Sequence, residues 1–333
     1  NTACGKAAED LKRITGMDRI FFTNSGGEAV EGTLKAARKY AYKKGTGRYE
    51  FIAMKESFHG RSFGAVSVTG HDAYREPFEP LVPGVSFAQY NDLDSVKALM
   101  TDKTCAIILE PLQGEGGFIP APIAWVKAIR KICDENGILL IADEVQCGNC
   151  RTGKYYASEY WKEAGAAPDI IATAKSLGGG LPISAITARA EVMDAAPAGT
   201  IGGTFCGNPL ACASALAVMD IMQRDDYAAK ARHIGDVVMN RYNALKDKYD
   251  VIGDVRGLGA MIGIEFVTDR ETKEPATKLV ADIVRNAMQK GLLLESCGFA
   301  SNTIRFLAPL TMTDEQMEKG LEIFEEAIKE AIA

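Results

Sequence analysis

The chain reads as an α/β protein, a mainly parallel sheet with helices on both faces followed by a smaller C-terminal α+β domain. Three observations predict this. Short β-like runs alternate with amphipathic stretches from residue 15 to about residue 215, the pattern of strands joined by crossover helices. Two of the runs, Ile138-Leu-Leu-Ile141 and the Ile-Ile-Ala end of Pro168-Asp-Ile-Ile-Ala172, are apolar without alternation, as strands buried on both faces are. Finally, 333 residues exceed the size at which single cores stop growing.

Taken in order, Ile20-Phe-Phe22, Phe51-Ile-Ala53, Ala65-Val-Ser-Val68, Ala106-Ile-Ile-Leu109, Ile138–Ile141, Ile170-Ile171 and Ile183-Ser-Ala-Ile-Thr187 are expected strands. Val30, Leu34, Ala37 and Ala41 fall on one helical face between the first two. Pro209–Lys248 is expected as one long helix leading out of a large domain at 1–225 and into a small one at 226–333. In the small domain, Val255–Phe266, Leu292–Leu294 and Thr303–Phe306 are expected strands. The helices there are Thr277–Lys290 and a closing one from Thr313.

The composition is that of an ordinary globular protein, 47% hydrophobic and 25% charged. A net charge of −6 without a basic cluster argues against nucleic acid as a partner. No apolar stretch approaches a membrane span. The N-terminal residues lack signal-peptide shape, and most of the eight cysteines lie in apolar runs, as buried thiols in a reducing compartment do. The expectation is a cytoplasmic protein. Cys147-Gly-Asn-Cys150 matches redox and zinc spacing, but no second such pair and no nearby histidine accompanies it. Unpaired thiols and no metal are expected there.

The chemistry concentrates at two expected strand ends. Asp143-Glu-Val-Gln146 closes one run, and Ala174-Lys-Ser-Leu-Gly-Gly-Gly180 follows the next. Open α/β sheets hold ligands at that rim. A carboxylate at one strand end and a lysine at the next suit pyridoxal phosphate, which needs a lysine for its Schiff base and an acid at its ring nitrogen. Asp143 in isolation could equally cap a helix, and Lys175 could be a solvated loop lysine.

Other segments offer contacts with two readings each. Asn24-Ser-Gly-Gly-Glu-Ala29 is either a phosphate cradle at a helix start or a plain N-cap turn. Phe58-His-Gly-Arg61 offers a ring to stack on a cofactor and a fork for a carboxylate, or a core phenylalanine beside a surface arginine. Glu110-Pro-Leu-Gln-Gly-Glu-Gly-Gly117 places two acids among glycines at a strand end. Gly203-Thr-Phe-Cys-Gly-Asn-Pro209 offers a hydroxyl before a long helix. Arg305, between Ile304 and Phe306, is a charge in an apolar setting that needs an anionic partner.

In this order, these motifs resemble the class III aminotransferases of the pyridoxal-phosphate-dependent fold type I superfamily, along nearly the whole chain. The resemblance implies roles by position. Lys175 would anchor the cofactor and shuttle a proton, and Asp143 would keep the pyridine nitrogen protonated. Gln146 would bond the phenolic oxygen, with Val145 on one ring face and Phe58 on the other. Gly26 and Gly27 would donate N–H groups to the phosphate. Thr204 would reach it from a second subunit, so the site would exist only in a homodimer.

The stretches Arg189–Gly199 and Ser296–Thr311 look most like 4-aminobutyrate aminotransferases. That family implies a ping-pong reaction between an amino donor and a 2-oxo acid acceptor, here 4-aminobutyrate and 2-oxoglutarate. Arg61 would hold the amino acid's carboxylate and Arg305 the α-carboxylate of 2-oxoglutarate or glutamate. Glu115 would pair with Arg305 when an ω-amine substrate is bound. The segment Tyr74-Arg-Glu-Pro-Phe-Glu-Pro80 is closer to acetylornithine aminotransferases, the main rival, ahead of ornithine and diamine enzymes. Two departures stand out. Cys150 occupies a position where the family has glycine. Family members also begin upstream of Asn1, so the expectation is that a segment serving the small domain, the dimer contact and one pocket wall is absent, and that the chain could be a silent fragment.

Overall fold

The computed structural model describes residues 1–333. Its strands in chain order are β1 (Arg19–Thr23), β2 (Glu50–Met54), β3 (Val85–Ala88), β4 (Thr104–Leu109), β5 (Leu112–Gln113), β6 (Ile119–Pro120) and β7 (Leu139–Asp143). There follow β8 (Ile170–Thr173), β9 (Ser184–Ala188), β10 (Ile252–Leu258), β11 (Met261–Asp269), β12 (Glu274–Pro275), β13 (Glu295–Cys297) and β14 (Thr303–Phe306). The chain forms two compact units. The first comprises Asn1–Pro111, Ala121–Cys150 and Lys154–Asp226.

The first unit holds a seven-stranded sheet in the order β1-β9-β8-β7-β4-β2-β3. The pairs from β8 to β3 are all parallel. Only β9 runs against its neighbours, antiparallel to both β1 and β8. Every residue of β4, β7 and β8 is buried, which explains their unbroken apolar runs. Alternate residues serve opposite faces. Ala106 and Ile108 pack with Val30, Leu34, Ala37 and Ala41 of the helix Gly26–Lys43. Ile107 and Leu109 pack with Trp125, Val126, Ile129 and Cys133 of the helix Ile123–Asn136. Each large aliphatic side chain so buried contributes about 1.5–3 kcal/mol.

The second unit comprises Leu112–Pro120, Arg151–Gly153 and Tyr227–Ala333. Its antiparallel sheet has the order β10-β11-β14-β13, with β12 beside β11. Three helices, Tyr227–Lys248, Thr277–Gln289 and Asp314–Ile332, complete it. The last opens on a capping box between Thr313 and Gln316. Leu112–Pro120 and Arg151–Gly153 fall here and not with the large domain at 1–225. The reason is local: β6 lies against β10, and the Ala260 N–H donates to the Arg151 carbonyl at 3.0 Å.

Several expected elements differ. Ala65–Val68 is not a strand; Phe63–Ser67 is a short helix. The Glu31 carboxylate accepts from the N–H groups of Gly64 (2.7 Å) and Ala65 (3.3 Å), a cap that overrides the β-branched run. The single helix expected over Pro209–Lys248 breaks into Pro209–Arg224 and Tyr227–Lys248, with Asp226 at φ 43° between them. The strand expected over Val255–Phe266 is a hairpin in which Leu258 faces Met261, turning at Gly259 with φ 53°. Leu292–Leu294 lies outside any strand, and pairing starts at Glu295. The strand Val85–Ala88 and the helix Thr2–Thr15 have no counterpart among the expected elements.

Candidate active site

In the first unit, β7 and β8 are parallel neighbours with Asp143 opposite Ala172. Asp143 therefore ends one strand while Lys175 lies just beyond the end of the next, at the same rim. Asp143 is buried. Its Oδ1 accepts from the Val145 N–H at 3.0 Å. Its Oδ2 lies 2.7 Å from His59 Nδ1, whose side chain is fully buried. Burial pushes the His59 imidazole down, but the Asp143 hydrogen bond and charge, with the charge of Glu110, outweigh it and hold the group above its usual value.

Lys175 is exposed and opens a short 3-10 turn, Lys175–Gly178. Its φ of 41° is in the left-handed region, which costs an L-residue about 1–2 kcal/mol. Backbone strain of this kind clusters at functional positions. Asn149, buried in the turn after β7, donates from Nδ2 to the Ala174 carbonyl at 3.0 Å.

Gly26 and Gly27 open the helix Gly26–Lys43, with Ser25 as its cap. A Cβ on Gly26 would stand 2.9 Å from Val145 Cγ1, so glycine lets the helix start come up to the turn after β7. The helix dipole and free N–H groups make this end a place for a phosphate. Phe58 and Gln146 are half-buried, and the Phe58 N–H donates to Glu110 Oε1 at 3.1 Å. The exposed Arg61 stacks on two rings, its Cζ 5.4 Å from the Phe58 centroid and 4.7 Å from that of Tyr74. It makes no ion pair, which leaves its fork available to a carboxylate. Thr204 is exposed in the turn before the helix Pro209–Arg224.

The second unit contains the other two sequence candidates. Arg305, on β14, is mostly buried and donates from Nη1 to Glu115 Oε1 at 2.6 Å. Its Nη2 lies 2.8 Å from Glu295 Oε2. Burial works against the charged guanidinium, but the Glu115 hydrogen bond and charge and the Glu295 charge hold its pKa raised. Arg305 Nε is buried without a partner.

Within the first unit the donor set suits pyridoxal phosphate: a buried carboxylate, a lysine on the neighbouring strand end, and a glycine helix start packed against Val145. Three residues given no role in the sequence reading join it. His59 sits inside the Phe58–Arg61 motif, Tyr74 carries Arg61, and Asn149 lies between the two loop cysteines. Cys147 and Cys150 are buried. Cys147 Sγ donates to Glu144 Oε2 at 3.2 Å.

Comparison with protein families matches residues 1–328 to the family described as class-III aminotransferases. An acetylornithine aminotransferase of Clostridium acetobutylicum is 43% identical over 323 residues, covering 96% of this chain and 80% of that protein. The 4-aminobutyrate aminotransferase GabT of Escherichia coli K12 is 40% identical over 329 residues, covering 94% and 75%. Among solved structures, a PLP-bound amine transaminase from an uncultivated Pseudomonas species superposes with a TM-score of 0.91 at 31% identity, covering 99% of this chain and 81% of that one.

Proposed function

The chain belongs to the class-III aminotransferases, with pyridoxal phosphate as cofactor and the fold type I architecture, and we propose that it moves the terminal amino group of N-acetylornithine to 2-oxoglutarate. The observation that carries this choice of donor is the contact between Tyr74 and Arg61, at 4.7 Å. Tyr74 opens the segment whose sequence is closest to acetylornithine enzymes. It flanks the guanidinium assigned to the donor's carboxylate. The acetylornithine relative is also the more similar of the two compared. 4-Aminobutyrate, favoured by the sequence reading, becomes the second candidate and rests on the 40% identity to GabT.

When bound, the cofactor supplies an electron sink that makes the proton on the amine-bearing carbon removable. The protein's part is positional and acid–base. Lys175 Nζ would carry that proton between the donor's amine-bearing carbon and C4′ of the cofactor. Asp143, braced by His59 at 2.7 Å, would hold a proton on the ring nitrogen. Val145 and Phe58 would confine the ring, Gln146 would bond its phenolic oxygen, and Gly26 and Gly27 would take the phosphate. Arg61 receives the donor's carboxylate. Arg305 receives the α-carboxylate of the 2-oxo acid once Glu115 releases it, so a single guanidinium is compensated in both half-reactions. Thr204, exposed beside Phe205 (71% exposed) and ahead of Leu210 (78%), serves the phosphate of a second copy in a homodimer.

The test is a single-turnover absorbance titration of PLP-loaded protein with N-acetylornithine and, separately, with 4-aminobutyrate. A visible band lost with N-acetylornithine and restored by 2-oxoglutarate supports the proposal. A band lost only with 4-aminobutyrate replaces the donor, and one that responds to neither removes both.

A further inference from the structure

We infer that Asn149 is a positioning residue for Lys175, fixing the peptide plane from which the lysine side chain springs. Ala174 has φ −161° and ψ −133°, and Lys175 follows at φ 41°. The Ala174 carbonyl and the Lys175 N–H belong to one planar peptide. Turning that plane changes ψ of Ala174 and φ of Lys175 together. A strained pair of this kind relaxes unless its surroundings hold it. Two donors converge on the Ala174 carbonyl: the Leu177 N–H at 3.0 Å, from the lysine's own turn, and Asn149 Nδ2 at 3.0 Å. Only Asn149 reaches it from another element, the turn after β7. It thereby ties the lysine's backbone to the strand that ends in Asp143.

Asn149 is only 2% exposed, and its Oδ1 is buried without a partner. An amide kept for packing alone would be replaced at no loss by an apolar side chain, since an unpaired buried oxygen is destabilising. A competing explanation is that Asn149 serves its own backbone, which has φ 54°, a conformation asparagine tolerates well. Glycine separates the two. It adopts that φ freely but has no amide to donate.

The inference rests on the reading that Lys175 anchors the cofactor. The test compares wild type, Asn149→Gly and Asn149→Asp as PLP-loaded proteins. Three readouts are taken: the pH at which the visible band changes, kcat and KM for the donor, and apoprotein melting. Expected in Asn149→Gly are a band midpoint moved by roughly 0.5 pH units or more, kcat lower by about tenfold and an unchanged KM. Asp keeps the shape and tolerates the backbone but turns an acceptor toward the carbonyl, so it should lose more than Gly. Should the Gly variant fail to fold, Asp carries the test alone. A Gly or Asp variant with wild-type midpoint and kcat overturns the inference. A wild type that forms no visible band overturns the Lys175 reading itself, a distinguishable result.

Discussion

Glu115 and Arg305 stand 190 residues apart in sequence and meet at 2.6 Å. The guanidinium is the more buried partner, at 13% side-chain exposure against 27% for Glu115. Glu295 occupies its second arm from a largely exposed position, at 69%. Glu115 is therefore the partner whose departure changes the charge around Arg305 most.

Glu115→Gln should separate the two half-reactions. With one carboxylate removed, Arg305 is under-compensated while a monocarboxylate donor is bound, so the donor half-reaction should slow about tenfold, a loss of ~1.4 kcal/mol. The glutamate half-reaction, where a substrate carboxylate replaces Glu115, should change by less than about twofold. Single-turnover rates for each substrate check this, and equal losses in both would contradict the switching role.

Lys175→Ala and Lys175→Gly should both abolish transamination and the visible band of the loaded protein. Their apoproteins should differ. Alanine inherits the left-handed backbone at φ 41° and glycine does not suffer from it, so the Gly variant should be the more stable by about 1 kcal/mol. Urea unfolding of the two apoproteins measures this, and equal midpoints would mean that the turn relaxes.

His59 gives a pH dependence with a definite sign. Its folded pKa lies above the ordinary value of 6.5. The stabilisation it gives is then fully present below that value and is lost as pH rises through the folded pKa. Apoprotein melting temperature should fall across that window in wild type and stay flatter in His59→Gln. Parallel curves for the two proteins would remove His59 as the source.

Gly26→Ala should weaken cofactor binding because the new Cβ meets Val145 Cγ1 at 2.9 Å. An overpacking cost of about 1–3 kcal/mol is expected. Val145→Ala in the same chain removes the obstructing methyls and should restore much of the affinity. PLP titration of the single and double variants tests the coupling, and purely additive losses would rule out that contact as the cause.

Much of this was legible in the sequence because the information is local or compositional. The buried strands β4, β7 and β8 declare themselves as unbroken apolar runs, and Arg305 as a charge between Ile304 and Phe306. The misread segments are those decided from a distance. The helix at Phe63–Ser67 owes its cap to Glu31, more than thirty positions away, and no window around Ala65–Val68 contains that carboxylate. Asn149 escaped because its partner, the Ala174 carbonyl, is backbone and leaves no mark in residue types. The strain at Lys175 is likewise a property of angles and not of composition.

The first strand of the large sheet has a consequence for how the protein is made. Its register sets Arg19 against Ala188, so a growing chain emerges with Ile20, Phe21 and Phe22 well before the segment that pairs with them exists. Contacts this far apart in sequence form slowly. Throughout that interval an unpaired apolar strand is available to other nascent chains. Yield at high expression should be limited by early-stage association and should respond to slower synthesis or added chaperone, independently of how stable the finished enzyme is.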